Sequence, residues 1–270
     1  MRRPMLRYFG GKSRLAPWIA SHFPAHTTYV EPFGGAASVL LAKSRSQVEV
    51  LNDVDDEIVN VYRMLRDRGD ELERLLRLTP FAEREYVQAY EHTDDPLERA
   101  RRTIVRSFMG VGADSISRRS GYRGYPHNRK REGDTSCAAE WSTYADAVPA
   151  FVERLRGVEI RNTDALGLIR QWDGQGTLLY VDPPYVRETR SGSGGYRHEY
   201  GDEQHCELVD VLSACKSAVV LSGYRCDMYD ELLADWQRVD REVRGRTESL
   251  WLRNVGMQQQ SIFDALGEVA

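Results

Sequence analysis

The 270-residue sequence lacks three features that would point to a membrane, secreted or metal-binding protein. No apolar run reaches the roughly 18 residues of a transmembrane helix, and no charged-then-apolar segment typical of a secretory signal opens the chain. The four cysteines form no CxxC pair and have no histidine at metal-ligand spacing. We therefore expect a cytoplasmic protein with reduced packing thiols, no membrane association and no metal.

The chain also lacks a net positive charge, but its cations are concentrated in one segment. The formal net charge is −4, whereas between Arg99 and Arg131 ten arginines and lysines face a single acid, Asp114. A solvated helix face explains Arg99 to Arg106 equally well. The stretch "SRRSGYRGYPHNRKR" (117–131) instead has the composition of a loop, with tyrosines among its arginines. Arginines beside aromatic rings suit phosphates and exposed bases, so this segment indicates nucleic-acid binding.

Short buried strands alternate with helical patterns along most of the chain. The periodicity predicts strands at 28–30, 48–51, 158–161, 177–181 and 218–222. Helical patterns such as Ile58, Val61 and Leu65 lie between several of them. This alternation predicts an α/β fold with a mostly parallel sheet covered by helices on both faces.

The alternation breaks between residues 60 and 145, where helical patterns are followed by the basic, loop-rich segment. We interpret residues 60–145 as an inserted second domain. The remaining residues, 1–59 and 146–270, would then form the sheet-containing domain.

Ligands bind parallel sheets at the carboxyl ends of the strands, so the residues after each strand are candidates for a site. The first strand is followed by "EPFGGAAS" (31–38), in which Gly34 permits close approach of the backbone to a ligand. The second is followed by Asp53, nineteen residues beyond Gly34, the separation at which an acid can bind ribose hydroxyls. The pattern indicates a nucleoside site, although spacing alone leaves a packing turn and a helix N-cap open. "GGKS" (10–13) is not a phosphate loop, because Leu6 occupies a position that requires glycine.

The stretch "LLYVDPPYV" (178–186) ends a buried strand in an acid, two prolines and an aromatic ring. Pro183 and Pro184 force an extended path, because proline fixes its own φ and restricts the residue before it. The Asp182 carboxylate and the Pro183 carbonyl can then act as fixed acceptors for an amino group. Tyr185 offers a surface on which a base can stack. A simple strand exit is the alternative interpretation.

Five motifs, taken in order, resemble the Dam-like (alpha-group) class of S-adenosylmethionine-dependent DNA adenine methyltransferases. They are "RYFGGKSRLAPWI" (7–19), "YVEPFGGAASVLL" (29–41), "LNDVDDEIVNVYRMLRD" (51–67), "LLYVDPPYV" (178–186) and "TESLWLRN" (247–254). The resemblance implies a Rossmann-like methyltransferase with a mostly parallel seven-stranded sheet and an inserted helical and loop target-recognition domain. It also implies S-adenosyl-L-methionine as cofactor, double-stranded DNA as partner and a monomeric enzyme. Its reaction would transfer a methyl group to the 6-amino group of an adenine flipped out of the duplex.

The resemblance implies a role for each matching residue. Asp182 would lie between the cofactor and the target adenine, and Pro183, Pro184 and Tyr185 would complete the catalytic corner. The implied cofactor-binding residues are Tyr8 and Lys12 at the methionine end, Phe33 and Gly34 in the pocket, Asp53 at the ribose, Asp164 near the adenine, and Asp182.

The recognition segment departs from the family pattern. GATC-specific members resemble "RxNxxGxFNxPFG" in this region, which residues 117–131 do not reproduce, so GATC specificity is not predicted. Ser222 and Tyr224, which follow a strand in "SGYR", are further candidates for the target pocket. We also hypothesise that Arg123→Ala changes the sequence preference, since arginine reads guanine bidentately. The candidate DNA-contacting residues are Arg118, Arg119, Tyr122 and Arg123.

Two other functions stay open from the sequence. Methylation of the cytosine 4-amino group uses similar geometry, but such enzymes usually resemble Ser-Pro-Pro-Tyr at the position of Asp182. A DNA-binding module with a vestigial cofactor pocket would bind DNA without regard to S-adenosylmethionine. The sequence also does not exclude RNA as substrate.

Overall fold

The computed structural model of the protein describes residues 3–112, 114–124, 136–190, 195–243 and 245–256. Residues 125–131 of the basic segment therefore lie outside the described residues. The strands are β1 (Thr28–Glu31), β2 (Val48–Asn52), β3 (Glu159–Arg161), β4 (Thr177–Val181), β5 (Ala218–Gly223), β6 (Gln237–Val243) and β7 (Arg246–Arg253). All five strands predicted from the buried apolar runs are present.

The seven strands form one mostly parallel sheet in the order β3-β2-β1-β4-β5-β7-β6. Strands β1 to β5 pair in parallel, whereas β7 runs antiparallel to both β5 and β6. The carboxyl ends of β1 to β5 consequently meet at one edge of the sheet, together with the amino-terminal part of β7.

Helices connect most of the strands. They are α1 (Ala16–Ala20), α2 (Ser38–Ala42), α3 (Asp56–Asp67), α4 (Gly69–Leu78), α5 (Glu83–Gln88), α6 (Pro96–Met109), α7 (Cys137–Ser142), α8 (Val148–Leu155), α9 (Ala165–Trp172), α10 (Asp202–Ala214) and α11 (Asp227–Leu232). None of these helices, within the ranges that the structure describes, is long and apolar enough to cross a membrane.

Side chains that alternate along the central strands build two separate cores. Tyr29 and Leu178 point into the first core, which they share with apolar residues of α1 to α4, α6 and α8. Their neighbours Val30 and Leu179 point into the second core, with α9 to α11. This period of two places helices on both faces of the sheet, as the sequence predicts.

The inserted segment packs on the same core as the sheet. Helix α3 runs without interruption through residue 60, and the Asp55 side chain caps its first turn by accepting from the Glu57 amide at 3.0 Å. Leu72 of α4 and Ile104 of α6 are fully buried in the first core. Helices α4 and α6 therefore share one apolar core with the sheet.

Candidate active site

A cavity of about 500 Å³ lies at the carboxyl edge of the sheet. This volume falls within the range of roughly 300–1,000 Å³ that small-molecule sites occupy. The sequence-predicted residues that line it are Tyr8, Lys12, Phe33, Gly34, Asp53, Asp164, Asp182 and Pro184. Residues from five chain segments thus converge on one site.

Asp182, directly after β4, is anchored through one of its two carboxylate oxygens. Its Oδ1 atom accepts from Lys12 Nζ at 2.8 Å and from Ser222 Oγ at 2.9 Å. Among the described residues, no donor contacts Oδ2. The side chain is 18% exposed and lines the cavity. The arrangement fixes the carboxylate and leaves one oxygen for a ligand.

Lys12 is a buried cation between two carboxylates. Its Nζ atom donates to the Gly10 carbonyl at 2.9 Å and lies 3.7 Å from Glu248 Oε1. Burial alone would lower the pKa of Lys12, but the charges of Asp182 and Glu248 outweigh it and raise that pKa above its usual value. Lys12 therefore stays charged and forms an ion pair with Asp182.

Tyr185 and Pro183 lie behind the cavity wall and not on its surface. Tyr185 is buried, and its hydroxyl donates to the Glu248 carboxylate. Its ring packs edge-on against Tyr224, with 4.7 Å between the centroids, and lies 4.4 Å from Lys12 Nζ. The stacking surface expected from the sequence is covered by Tyr224 in this structure.

The acid after β2 meets the glycine turn after β1. Asp53 accepts from the Gly35 amide through Oδ2 and from the Asp55 amide through Oδ1, both at 2.8 Å. Burial raises the pKa of Asp53 to about 6. A carboxylate has further acceptor capacity on each oxygen, so Asp53 can still receive hydroxyl donors from a ligand.

Glycine at position 34 is required by the packing of the protein itself. A Cβ atom there would lie 2.8 Å from the Asn52 carbonyl oxygen and from the Tyr62 hydroxyl. The Gly34 amide also donates to the Asn52 carbonyl at 2.7 Å. The packing-turn interpretation thus accounts for Gly34, while the same turn lines the cavity.

Apolar and polar groups form the opposite part of the cavity. Phe33 packs edge-on against Tyr200, with 5.5 Å between the centroids, and Asp164 caps α9 by accepting from the Gly167 amide at 2.7 Å. Val54 lines the cavity although its side chain is 50% exposed. Such a wall suits a flat ring with polar edges.

Several of the site's residues were not identified from the sequence. Glu31 lines the cavity, and burial raises its pKa to about 8. Tyr196 and Tyr200 come from a loop after β4 that carries no strand or helix signal. Glu248 comes from β7, an antiparallel strand, and lies near the start of that strand and not at its carboxyl end.

The cationic segment is partly neutralised within the fold. On α6, Arg101 and Arg102 both pair with Glu98 at 2.7 Å. Arg106 pairs with Glu57 at 2.5 Å. Much of the positive charge of this helix is therefore neutralised by ion pairs within α6 and between α6 and α3.

Beyond α6, the candidate DNA-contacting residues divide into inward and outward groups. Arg123 donates to the Phe108 carbonyl at 3.0 Å and is 15% exposed, and Tyr122 packs against Phe81. Arg118 is 61% exposed, with Asp114 3.4 Å away, and Arg119 is also exposed.

The segment that carries the exposed arginines is connected to a residue of the cavity through Arg197. Arg197, from the loop after β4, pairs with Asp55 at 3.0 Å and donates to the Ile116 carbonyl at 3.4 Å. Arg118 follows Ile116 by two residues and so lies close to this connection along the chain.

The cavity fits the nucleoside cofactor that the sequence resemblance implies. Asp55 Oδ2 is buried and has no hydrogen-bond partner in the part of the chain that the structure describes, and Asp55 lines the cavity. An unpaired buried carboxylate oxygen is costly unless a ligand donor reaches it. Asp53 and Asp55 thus offer acceptors for hydroxyl or amino groups, beside the apolar wall of Phe33 and Val54.

The strand order, the acid after β2 and the Asp-Pro-Pro-Tyr corner after β4 together define a Rossmann-like methyltransferase. The sequence model of the D12 class of N6 adenine-specific DNA methyltransferases matches residues 8–246, and the chain belongs to this family. The protein is accordingly an adenine-specific DNA methyltransferase. Family membership favours adenine over cytosine and an enzyme over a vestigial binding module.

Two curated relatives are named as a methylase and a methyltransferase. The DNA adenine methylase of Escherichia coli (strain K12) is 30% identical over 214 residues, which cover 77% of this chain and 75% of that protein. The Type II methyltransferase M1.LlaDCHI of Lactococcus lactis subsp. cremoris is 25% identical over 256 residues, covering 87% and 85%. Among solved structures, the rRNA methyltransferase aviRa from Streptomyces viridochromogenes aligns with a TM-score of 0.43 at 14% identity, covering 94% of this chain and 88% of that chain.

Proposed function

We propose that this enzyme transfers the methyl group of S-adenosyl-L-methionine to the 6-amino group of an adenine flipped out of double-stranded DNA. The observation that carries the proposal is Asp182, held by Lys12 and Ser222 through Oδ1 alone at the cavity surface. A base within a duplex cannot reach such a recessed carboxylate, so the target must leave the stack.

The cofactor is assigned to the side of the cavity that Asp53 and Phe33 form. Asp53 binds the ribose hydroxyls, and the Phe33 and Val54 side chains contact the adenine ring, with Asp164 at its polar edge. Tyr8 lines the methionine end. When bound, the cofactor supplies an electrophilic methyl group on a sulfonium ion.

Asp182 and Pro183 act on the amino group of the target base. This nitrogen is a weak nucleophile because its lone pair is delocalised into the ring. A hydrogen bond donated by the amino group to Asp182 favours a pyramidal nitrogen and localises the lone pair. The Pro183 carbonyl is the second acceptor, and it requires the corner to open, because Pro183 is buried behind the cavity wall. Transfer would break the methyl–sulfur bond of S-adenosylmethionine as the new nitrogen–carbon bond forms, with S-adenosylhomocysteine as the leaving group, and one amino proton would be released to water. Holding the reacting groups together supplies much of the acceleration.

Lys12 is assigned to the target side and not to the cofactor's carboxylate. An ammonium group has three donors, and Lys12 uses two of them on Gly10 and Asp182. Its position orients Asp182. Stacking of the flipped base on Tyr185 requires Tyr224 to move, because the two rings are already in contact.

Residues 60–145 are assigned to target recognition, with Arg118 and Arg119 as DNA contacts. Both side chains are exposed on a segment that Arg197 connects to Asp55 of the cavity. Arg123 is instead engaged with Phe108 inside the fold. Arg123→Ala therefore tests packing as well as sequence preference.

Calorimetric titration with S-adenosylmethionine tests how the roles divide between the two acids. Asp53→Ala should weaken cofactor binding about tenfold or more, because it removes a charged acceptor for the ribose hydroxyls. Asp182→Ala should retain binding within a few-fold and abolish methyl transfer. Equal cofactor binding by wild type and Asp53→Ala would contradict the assignment of Asp53.

Base flipping has its own test. Once sequencing of methylated DNA has given the target sequence, 2-aminopurine placed at the target adenine should become more fluorescent on binding, because it leaves the stack. Unchanged fluorescence in a complex of confirmed stoichiometry would argue against flipping.

A further inference from the structure

Glu248 reaches the catalytic corner from an unexpected direction. Strand β7 runs antiparallel to β5, with Ser249 opposite Gly223 and Leu250 opposite Ser222. Its amino-terminal residues therefore lie at the edge where the parallel strands end. Glu248 is 4% exposed there, so its carboxylate is buried beside the site.

Four side chains form a connected cluster behind the cavity. The Tyr185 hydroxyl donates to Glu248, and Lys12 Nζ lies 3.7 Å from Glu248 Oε1 and 2.8 Å from Asp182 Oδ1. The same ammonium lies 4.4 Å from the centroid of the Tyr185 ring. Glu248 thus lies against both Tyr185 and Lys12, the second of which holds Asp182, but it does not touch Asp182 itself.

The cluster holds two carboxylates against one ammonium. Burial raises the pKa of Glu248, while Lys12 and the Tyr185 hydrogen bond oppose that rise. A buried carboxylate that shares one cation with a second carboxylate is costly to keep. Stability alone does not account for it, since an apolar side chain of the same volume would avoid the desolvation cost.

We propose that Glu248 is a positioning residue for methyl transfer. Its carboxylate accepts from the Tyr185 hydroxyl and so fixes the orientation of the ring. It also attracts the Lys12 ammonium, so that Lys12 is shared between Glu248 and Asp182. Asp182 then keeps acceptor strength for the target amino group. This role rests on the assignment of Asp182 under the proposed function, and Glu248 itself touches neither cofactor nor base.

Glu248→Gln separates charge from shape, because the amide retains an acceptor for the Tyr185 hydroxyl. The expected result is a kcat lowered about ten- to hundredfold, with the KM for S-adenosylmethionine and the melting temperature near the wild-type values. An unchanged kcat would overturn the proposal. So would a decrease in activity that follows a raised cofactor KM or a lower melting temperature, since either indicates a structural role.

Tyr185→Phe is the second variant, because it keeps the ring and the charge of Glu248 but removes the hydrogen bond. It should also lower kcat, and the double variant should be less impaired than the product of the two single effects, since both act through one interaction. Independent, multiplicative effects would overturn the coupling.

Glu49→Gln is a matched control. Glu49 is equally buried and pairs with Lys43 and Arg154 at 2.6 Å, away from the cavity. It should lower the melting temperature and leave kcat unchanged. A wild-type protein without methyl transfer would overturn the proposed function, whereas an active wild type with a fully active Glu248→Gln variant overturns only the role of Glu248.

Discussion

At the residue scale, the buried acids of the cavity differ in what they contribute to stability. Glu31 accepts from the Tyr29 hydroxyl at 2.7 Å and from the Leu40 amide at 3.1 Å, yet burial raises its pKa from 4.5 to about 8. The folded protein therefore binds a proton that the unfolded chain has released in this pH range. Its stabilising contribution is complete below about pH 4.5 and disappears as the pH rises through about 8.

Glu31→Gln tests this pH dependence. The variant keeps a neutral side chain at every pH. Its melting temperature should therefore rise by several degrees relative to that of wild type as the pH increases from about 5 to about 8. Differential scanning calorimetry across this range measures the difference. Glu49→Gln is the control, because ion pairing lowers the pKa of Glu49 below its usual 4.5. Its contribution changes with pH only below that value, so the difference between wild type and Glu49→Gln should stay constant across this range. A difference in melting temperature between wild type and Glu31→Gln that does not change with pH would contradict the raised pKa of Glu31.

The sequence predicts where Asp53 and Asp182 lie, but it does not predict which side chains surround the catalytic corner. Asp53 and Asp182 follow strands that the apolar runs identify, so their convergence could be foreseen. Glu248 could not be placed, because it is brought in by a strand that runs in the opposite direction. The ring contact that covers Tyr185 depends on how Tyr224 packs, which no local pattern encodes.

At the element scale, the turn between β1 and α2 joins the ends of β1 and β2 at the cavity, through the Gly34 amide on the Asn52 carbonyl and the Gly35 amide on Asp53. Gly34→Ala would place a Cβ against the end of β2, at 2.8 Å from Asn52 and Tyr62 oxygens. It should destabilise the protein by about 1–3 kcal/mol and weaken cofactor binding, as overpacking does.

Gly174→Ala is the control for this substitution, because a Cβ there would meet no atom within 4 Å. It should change stability by less than about 0.5 kcal/mol. Thermal unfolding and cofactor titration of both variants provide the comparison. A Gly34→Ala protein as stable as wild type would show that the turn can relax.

The burial of each strand explains which strands could be predicted from the sequence. All five residues of β4 and all six of β5 are buried, so their apolar runs are unmistakable. Five of the seven residues of β6 are exposed and most are charged, so it gives no such signal. Neither β6 nor β7 was predicted from periodicity, and only the total of seven strands was implied by the family resemblance.

At the scale of the whole molecule, charge distribution matters more than the net charge of −4. The arginines of α6 form ion pairs within the fold, whereas Arg118 and Arg119 are exposed to solvent. The protein can therefore bind a polyanion locally despite its overall acidity.

The double variant Arg118→Ala/Arg119→Ala should weaken DNA binding. It should also reduce the salt dependence of the affinity by about one unit of slope for each phosphate that the protein no longer neutralises. Fluorescence anisotropy over a range of salt concentrations measures both effects. Arg156→Ala is the control, because Arg156 is 75% exposed on a different element, at the end of α8. Equal salt slopes for wild type and the double variant would exclude these arginines as phosphate-binding residues.

The most direct test of the account is transfer of labelled methyl from S-adenosylmethionine to unmethylated duplex DNA, followed by digestion to nucleosides. Wild type should give labelled N6-methyladenine and no other labelled nucleoside, and Asp182→Ala should give none while still binding the cofactor. Label in N4-methylcytosine, or undiminished transfer by Asp182→Ala, would contradict the account.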